Sequence, residues 1–373
     1  MEISPYDLEA ARDLEDEDWR QFKHLTSVAL DAEEMELAAR PDRRDPEAED
    51  CLAVHWHPEW APLELIRQRL DRAFPRAGNC LAIPTQHNRI MTFGPWAGVE
   101  ADVYDRKLGL KVQLLIHFAA TRLDKASKII SMMDQTYNYR AHQLLDILAR
   151  LADPDSGKGS KCLVGGEAVA LARFFAARLN VLIEKSGILG SAEDEMLKNR
   201  LLPDFIIART GPEQKLLVDQ ALMFIRAVKK EVKADLNPAE FFSPEEVVEE
   251  ARGLGGGVII PHPPLFWPFL WSDLDVDGWE IWNPSTPDHT VFILEALGRA
   301  NEARSSRRRL LAFMGDDTHM SAKFRPGRSD EKDSADREIG FQDPWFDPNL
   351  SALLRATGQS LVGTINEYRS RLS

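Results

Sequence analysis

Apolar residues in this chain gather into short runs, and four of those runs lead into side chains that can bind a metal. Cys51 to Val54 leads into His55 and His57, Leu81 to Pro84 into His87, Val258 to Pro261 into His262, and Leu310 to Met314 into Asp316, Asp317 and His319. Runs of four or five apolar residues separated by helical stretches predict buried strands of a parallel α/β architecture. Functional side chains in such a barrel collect at the C-terminal ends of the strands.

The segments between and around these runs read as helix. Residues 1 to about 50 form an acidic extension with a loose helical stripe at Leu25, Val28, Leu30 and Met35, ending in the polar stretch Pro41 to Asp50. From about 120 to 240 the pattern is mostly helical, with helices expected at Ala126 to Ala152, Ala168 to Glu184, Ala192 to Asn199 and Glu213 to Ala234, and a loop at Ser156 to Ser160. This block reads as a helical insertion, a cap over the mouth of the unit that spans 51–325. Ser243 is placed to cap a helix that begins at Pro244, with Glu246 as its capping-box partner and a stop at Gly253. The stretch Arg325 to Arg337 is charged and loop-like, and a terminal helix is expected from Asn349 to Leu372 within a final segment 326–373.

Composition narrows the function classes. With 46 basic against 60 acidic residues the formal charge is −14, which argues against bulk binding to nucleic acid or to an anionic membrane. Three cysteines without CxxC spacing predict reduced thiols in a cytoplasmic protein, Cys51 and Cys80 filling strand positions. The N-terminus lacks the apolar stretch of a signal peptide, and no apolar run is long enough to span a bilayer. No P-loop, GxGxxG or GxSxG pattern is present, which leaves nucleotide-fold and serine-hydrolase readings without support.

Candidate chemistry comes from pairs at spacing i, i+2. On an extended strand His55 and His57 point to the same side, so both imidazoles can reach one ion; imidazole suits Zn, Mn, Fe and similar divalent metals. Asp317 and His319 form a second such pair, a carboxylate with an imidazole, and Gly315 lets the backbone turn closely. Each pair alone is equally a strand end with structural histidines or a loop with a capping aspartate; barrel closure would bring the two together. His262 is fixed in direction by the prolines around it. Glu100 could bridge two ions through its two oxygens, and His87 and His117 each follow apolar residues, His117 being equally a core histidine. His24, His142 and His289 read as packing, surface or loop residues. Lys323, Arg325 and Arg328, after the last pair, are candidates for holding a phosphate and equally solvated loop charges. The aromatic stretch Phe266 to Trp271 suits either a pocket wall or core packing.

Taken in order, these pieces resemble the polymerase and histidinol phosphatase (PHP) family of metal-dependent phosphoesterases. His55 and His57 match its opening HxH motif, Thr85-Gln86-His87 stands where the family has TDH, and Gly98-Val99-Glu100 matches its GvE. Ser243-Pro244-Glu245-Glu246 through Gly256-Gly257-Val258-Ile259-Ile260-Pro261-His262-Pro263 is similar to its SPEE helix, paired glycines and AHP motif. Gly278 to Asn283 resembles its giEvyN strand, and Gly315-Asp316-Asp317-Thr318-His319 its GSDAH. The chain departs from the family pattern in two motifs: Gln86 replaces an aspartate, and Pro58-Glu59-Trp60 replaces the Ser-Asp-Gly that often follows HxH, with Glu59 as a substitute oxygen ligand. The histidine often found after GvE is replaced by Gln113 unless His117 fills that role.

The resemblance implies a distorted (β/α)7 barrel, here with the helical insertion and extra terminal helices, and two or three divalent ions (Mn, Zn or Fe). The ligands it implies are His55, His57, His87, Glu100, His117, His262, Asp317 and His319, with Glu100, Asp317 and His319 nearest the reaction. It implies hydrolysis of a small-molecule phosphate ester by a metal-bound hydroxide. Two alternatives stay open: a metal-dependent hydrolase of amide or lactone bonds, and a non-catalytic module of the same fold. Assembly into homo-oligomers is left open as well.

Overall fold

In the computed structural model of the chain, residues 6–156, 159, 162–188, 200–304, 308–325 and 336–372 are described. The chain divides into two compact units: Met1–Leu30 with Asn138–Asn237, and Asp31–Tyr137 with Pro238–Pro326 and Asp330–Ser373. No helix among the described residues is long and apolar enough to cross a membrane.

The first unit is helical among its described residues, with helices Asp16–Thr26, Gly166–Ser186, Leu201–Arg209 and Lys215–Ala234. Their apolar stripes meet in one core that includes Phe22, Leu148, Leu179, Phe205 and Val228. The buried Asp18 is held there by two guanidiniums, Arg178 at 2.7 Å and Arg209 at 2.8 Å. The expected helix at Ala192 to Asn199 lies outside the described residues, as does most of the expected loop at 156–160.

The second unit is mixed α/β and carries the strands: β1 Asp50–Ala53, β2 Trp56–His57, β3 Asn79–Ala82, β4 Met91–Phe93, β5 Trp96–Asp105, β6 Leu110–Ala119, β7 Gly257–Ile260, β8 Gly278–Trp282, β9 Leu311–Met314 and β10 Thr318–His319. A six-stranded sheet runs in the order β4-β5-β6-β7-β8-β9, β1 pairs with β3, and β10 pairs with β2. The pairs β1–β3, β10–β2, β7–β8 and β8–β9 are parallel, as the short buried runs predict. The pairs β4–β5, β5–β6 and β6–β7 are antiparallel, which corrects the all-parallel expectation. Its cause is local: β5 and β6 are ten residues each and are joined by a tight turn closed at Gly109, whose φ of 63° suits glycine.

Alternation along the strands separates two faces. Val99, Ala101 and Val103 of β5, Leu114 and Ile116 of β6, and Trp279 and Ile281 of β8 pack into the larger core beneath helices Pro244–Gly253 and Thr290–Ala303. The other face collects Leu52, Val54, Leu81, Ile83, Leu115, Ile259, Leu311 and Phe313 into a second core with Ile365, Tyr368 and Leu372. Glu100 and Glu280 belong to this second face by the same period of two, because their strand neighbours on both sides point into the larger core.

The helix Pro244–Gly253 has the expected N-terminus, with Glu246 N–H donating to Ser243 Oγ and Ser243 N–H donating to the Glu246 carboxylate. The single terminal helix expected from Asn349 is in fact two, Pro348–Ala356 and Leu361–Arg371. Gly358 breaks it at φ 71°, and Ser360 caps the second piece through Gly363 N–H.

Candidate metal centre

Backbone pairing brings distant parts of the chain to one place. Strand β10 lies beside β2 with His319 directly opposite His57, while Asp317 N–H donates to the His55 carbonyl at 2.8 Å and Met320 N–H to the His57 carbonyl at 3.0 Å. His87 and Glu100 form an isolated parallel bridge, flanked by Asn88 N–H to Glu100 O at 2.8 Å and Glu100 N–H to Gln86 O at 3.1 Å. His262 follows β7, its N–H donating to Glu280 Oε2 at 3.1 Å. Gly98 in β5 admits this closeness: a Cβ there would lie 2.3 Å from the Pro84 carbonyl oxygen.

Three overlapping sets of ligand atoms result: His57, His87 and His319; His55, Glu100 and His262; and His55, His57 and Asp317, each set within 4.8 Å. Glu100 joins them, with Oε1 at 3.7 Å from His55 Nε2 and 3.4 Å from His262 Nε2, and Oε2 at 3.6 Å from His57 Nε2 and 2.7 Å from His87 Nδ1. Asp317 Oδ1 lies 3.4 Å from His55 Nε2, 3.2 Å from His57 Nε2 and 3.7 Å from His319 Nε2. Two ligands of one ion at bonds near 2.1 Å are separated by about 3–3.5 Å, and the separations here, 2.7 to 3.7 Å, bracket that spacing. His55 Nε2 is fully buried and makes no hydrogen bond among the described residues, although two carboxylates face it. A buried polar atom without a partner is costly, and a divalent ion would satisfy it. The residues fit such ions.

Backbone strain concentrates at the same place. The non-glycine residues with positive φ among the described residues are Glu59, Asn88, His262 and Asp317, at 52°, 51°, 44° and 49°. Each lies in or beside the centre, where the surrounding structure holds conformations that a free chain rarely adopts.

Taking the protein groups by themselves, His55 and His57 are pushed in opposite directions. Burial works against a charge on His55, but Glu280, Asp317 and Glu100 outweigh it and push the pKa up to about 10. Burial, reinforced by His319 and His87, pulls His57 down to about 3. Burial would raise Glu100 and Asp317, yet the surrounding histidines hold both well below the usual carboxylate range. An ion bound at His55 must therefore displace a proton.

Residues outside the ligand sets orient those within them. Glu280 Oε1 lies 2.5 Å from His55 Nδ1, which turns Nε2 toward Glu100 and Asp317. Glu280 sits within the Gly278–Asn283 motif, and a glutamate flanked by Trp279 and Ile281 was the signal that it faces a polar site. Glu59, the substitute ligand suggested by sequence, is instead turned to His319 Nδ1 at 3.2 Å and accepts Ser321 N–H. Burial notwithstanding, His319 and Ser321 hold its pKa down at about 2. Gln86, in place of the motif aspartate, accepts Glu59 N–H at 2.8 Å and so supports the positive-φ turn after His57.

Gly315 gives a direct test of this support. A Cβ there would lie 2.1 Å from Glu280 Oε1, so Gly315→Ala is expected to displace Glu280 from His55. Zinc affinity should fall by about 10–100-fold in a competitive chelator titration. Wild-type affinity in that variant would show that Glu280 does not orient His55.

Other candidates fall elsewhere. His117 is in none of the three sets; it faces the Tyr368 hydroxyl at 2.8 Å, and burial, with His55 nearby, lowers it to about 3, as suits a neutral core histidine. Lys323 is buried against Asp42 at 2.8 Å, and Arg325 pairs with Glu34 at 2.5 Å, so both are engaged in ion pairs within the second unit. Arg328 lies outside the described residues. Among the described residues a basic side chain that does reach the centre is Arg337, whose Nη1 lies 2.8 Å from Asp317 Oδ2. Nothing in the charged stretch around it marked it out in the sequence.

No protein-family model matches the sequence, and no curated protein matches it. Among solved structures the chain is similar to a protein from Bifidobacterium adolescentis inferred to be a metal-dependent phosphoesterase. The TM-score is 0.43 with 15% identity, over 86% of this chain and 100% of that one. A similarity of that size assigns neither fold nor activity.

Proposed function

We propose that this chain is a metal-dependent phosphoesterase that holds two or three divalent ions and hydrolyses a small-molecule phosphate ester. One observation carries the reading: the two oxygens of Glu100 face two different pairs of histidines, His55 with His262 and His57 with His87. A buried carboxylate shared in this way suits adjacent ions, and adjacent ions suit in-line displacement at phosphorus. The barrel of the PHP resemblance belongs to the same reading. Its support is the series of ladders from β5 through β9, the His87–Glu100 bridge between β5 and the end of β3, the β1–β3 pair and the β10–β2 pair. In that reading residues from about 120 to 240 are an insertion into the barrel.

The proposed ligands are His55, His57, His87, Glu100, His262, Asp317 and His319. Bound ions supply an activated water and neutralise the ester oxygens during attack. The protein supplies direction and dryness. His55, His57 and Glu100 side chains are fully buried, whereas His87 and His319 are 23% and 16% exposed. The substrate therefore approaches from the His87 and His319 side, where both rings lie against His57 at centroid distances of 4.4 and 4.2 Å and 5.9 Å from each other. Glu280 and Glu59 hold two of the imidazoles in direction, so little reorganisation is left for the reaction itself.

The test is metal analysis of purified protein together with a substrate panel. Two or more ions per chain, activity on phosphate esters that a chelator abolishes, and recovery with manganese are the expected results. Undiminished hydrolysis in a metal-free preparation would end the reading. Turnover of amides or lactones in preference to phosphate esters would move it to another reaction, and bound metal with no hydrolysis would leave a binding module.

A further inference from the structure

Asp317 is held from behind by a single side chain. Arg337 Nη1 donates to Asp317 Oδ2 at 2.8 Å and to its carbonyl oxygen at 3.0 Å, and Nη2 donates to Ser285 Oγ at 2.9 Å. The opposite carboxylate oxygen, Oδ1, is the one that faces His55, His57 and His319. The backbone of Asp317 is left-handed, at φ 49°, and the same guanidinium grips that residue's carbonyl. Arg337 is 10% exposed and is itself anchored through its neighbour, because Glu338 accepts both Nε and Nη2 of the buried Arg69. Three residues further on, Gly340 N–H donates to Asp316 Oδ2 at 3.0 Å.

We infer that Arg337 is a positioning residue for Asp317. It occupies one carboxylate oxygen and fixes the strained backbone, so that Asp317 presents one oxygen to one ion. A carboxylate left to itself can bind through one oxygen or two; Nη1 of Arg337, donating to both Oδ2 and the carbonyl of Asp317, removes that freedom, and the guanidinium also offsets one negative charge among Glu59, Glu100, Glu280 and Asp317. Ser285 keeps the guanidinium plane from turning. This rests on the reading of the site as a metal centre and is independent of which ester is hydrolysed.

The experiment is a titration of the apo protein with cobalt(II), read by the visible spectrum of the bound ion, and with zinc against a chromophoric chelator. It uses wild type, Arg337→Ala, Arg337→Lys and Ser285→Ala in the full chain. In Arg337→Ala one ion should bind about 10–100-fold more weakly with a changed cobalt spectrum, while the other sites keep wild-type affinity. Arg337→Lys should recover part of the loss, since an ammonium supplies the charge without the paired donors. Ser285→Ala, which leaves the ion pair intact, should shift affinity in the same direction by less and guards against a folding defect in the first variant. Wild-type affinity and spectrum in Arg337→Ala would overturn the inference, as would a lowered melting temperature with unchanged metal binding. Unchanged metal binding with weakened affinity for inorganic phosphate would also overturn it and assign Arg337 to the substrate instead. A wild-type protein that binds neither cobalt nor zinc would refute the metal-centre reading itself, which sets that failure apart from the others.

Discussion

Glu100→Gln is expected to lower phosphate-ester hydrolysis by about a thousandfold, corresponding to about 4 kcal/mol of transition-state stabilisation. The substitution keeps the shape of the side chain and removes the charge that four histidines surround. Bound metal should fall by at least one ion per chain, because a carboxamide offers one weak oxygen ligand where the carboxylate offers two. The fold should survive: the Glu100 backbone is held by its ladder to β6 and by Gln86 and Asn88, none of which involves the carboxylate. Steady-state kinetics and elemental analysis on the same preparation decide the matter. Wild-type turnover with a full complement of metal would remove Glu100 from the centre.

Arg69→Ala is expected to cost about 3–5 kcal/mol of stability, the range for breaking a buried ion pair by removing one partner. Both Arg69 and Glu338 side chains are 1% exposed, and Arg69 meets the carboxylate with two donors at 2.6 and 2.7 Å. Arg69 also donates to the carbonyls of Leu37 and Ala38, the last turn of the helix Ala32–Ala39, which otherwise have no partner inside that helix. The variant therefore strands a buried carboxylate and exposes a helix end together. Urea titration is the measurement, and a loss below about 1 kcal/mol, the level of an exposed pair, would mean that water replaces the arginine without penalty.

Much of the candidate site was legible in the sequence because its candidate ligands sit in short motifs attached to apolar runs. Strands β1, β7 and β9 stand where those runs predicted them and β3 overlaps its run from two residues upstream, and His55, His57, His87, Glu100, His262, Asp317 and His319 come together. The supporting residues were harder to see. Glu280 was inside a recognised motif, but its partner is 225 residues away, and no local spacing encodes that contact. Gln86 looked like the loss of a ligand, and its bond from Glu59 N–H gives the amide oxygen a place in the turn after His57 that the sequence did not reveal. Arg337 lies in a polar stretch whose composition is that of any solvated loop. The antiparallel β5–β6 hairpin left its own trace: apolar and polar residues alternate from Val99 to Val103 and from Leu110 to Leu114 on either side of the turn at Gly109, a period of two that uninterrupted apolar runs do not capture.

The β2–β10 pairing has a consequence for how the protein is made. His57 and Asp317 are 260 positions apart, and the candidate ligands are contributed from both ends of that interval. A ribosome-bound chain that has not yet released its last hundred residues lacks Asp317 and His319, so of the three candidate ligand sets the one formed by His55, Glu100 and His262 is whole and the other two are not. Closing so long a span is entropically slow, so in the proposed metal centre the ion that Asp317 and His319 help to hold is taken up last. On the proposed reading, metal content then becomes a practical assay for molecules in which β10 has closed onto β2, and a chain ending before Asp317 is expected to hold fewer ions than the full one.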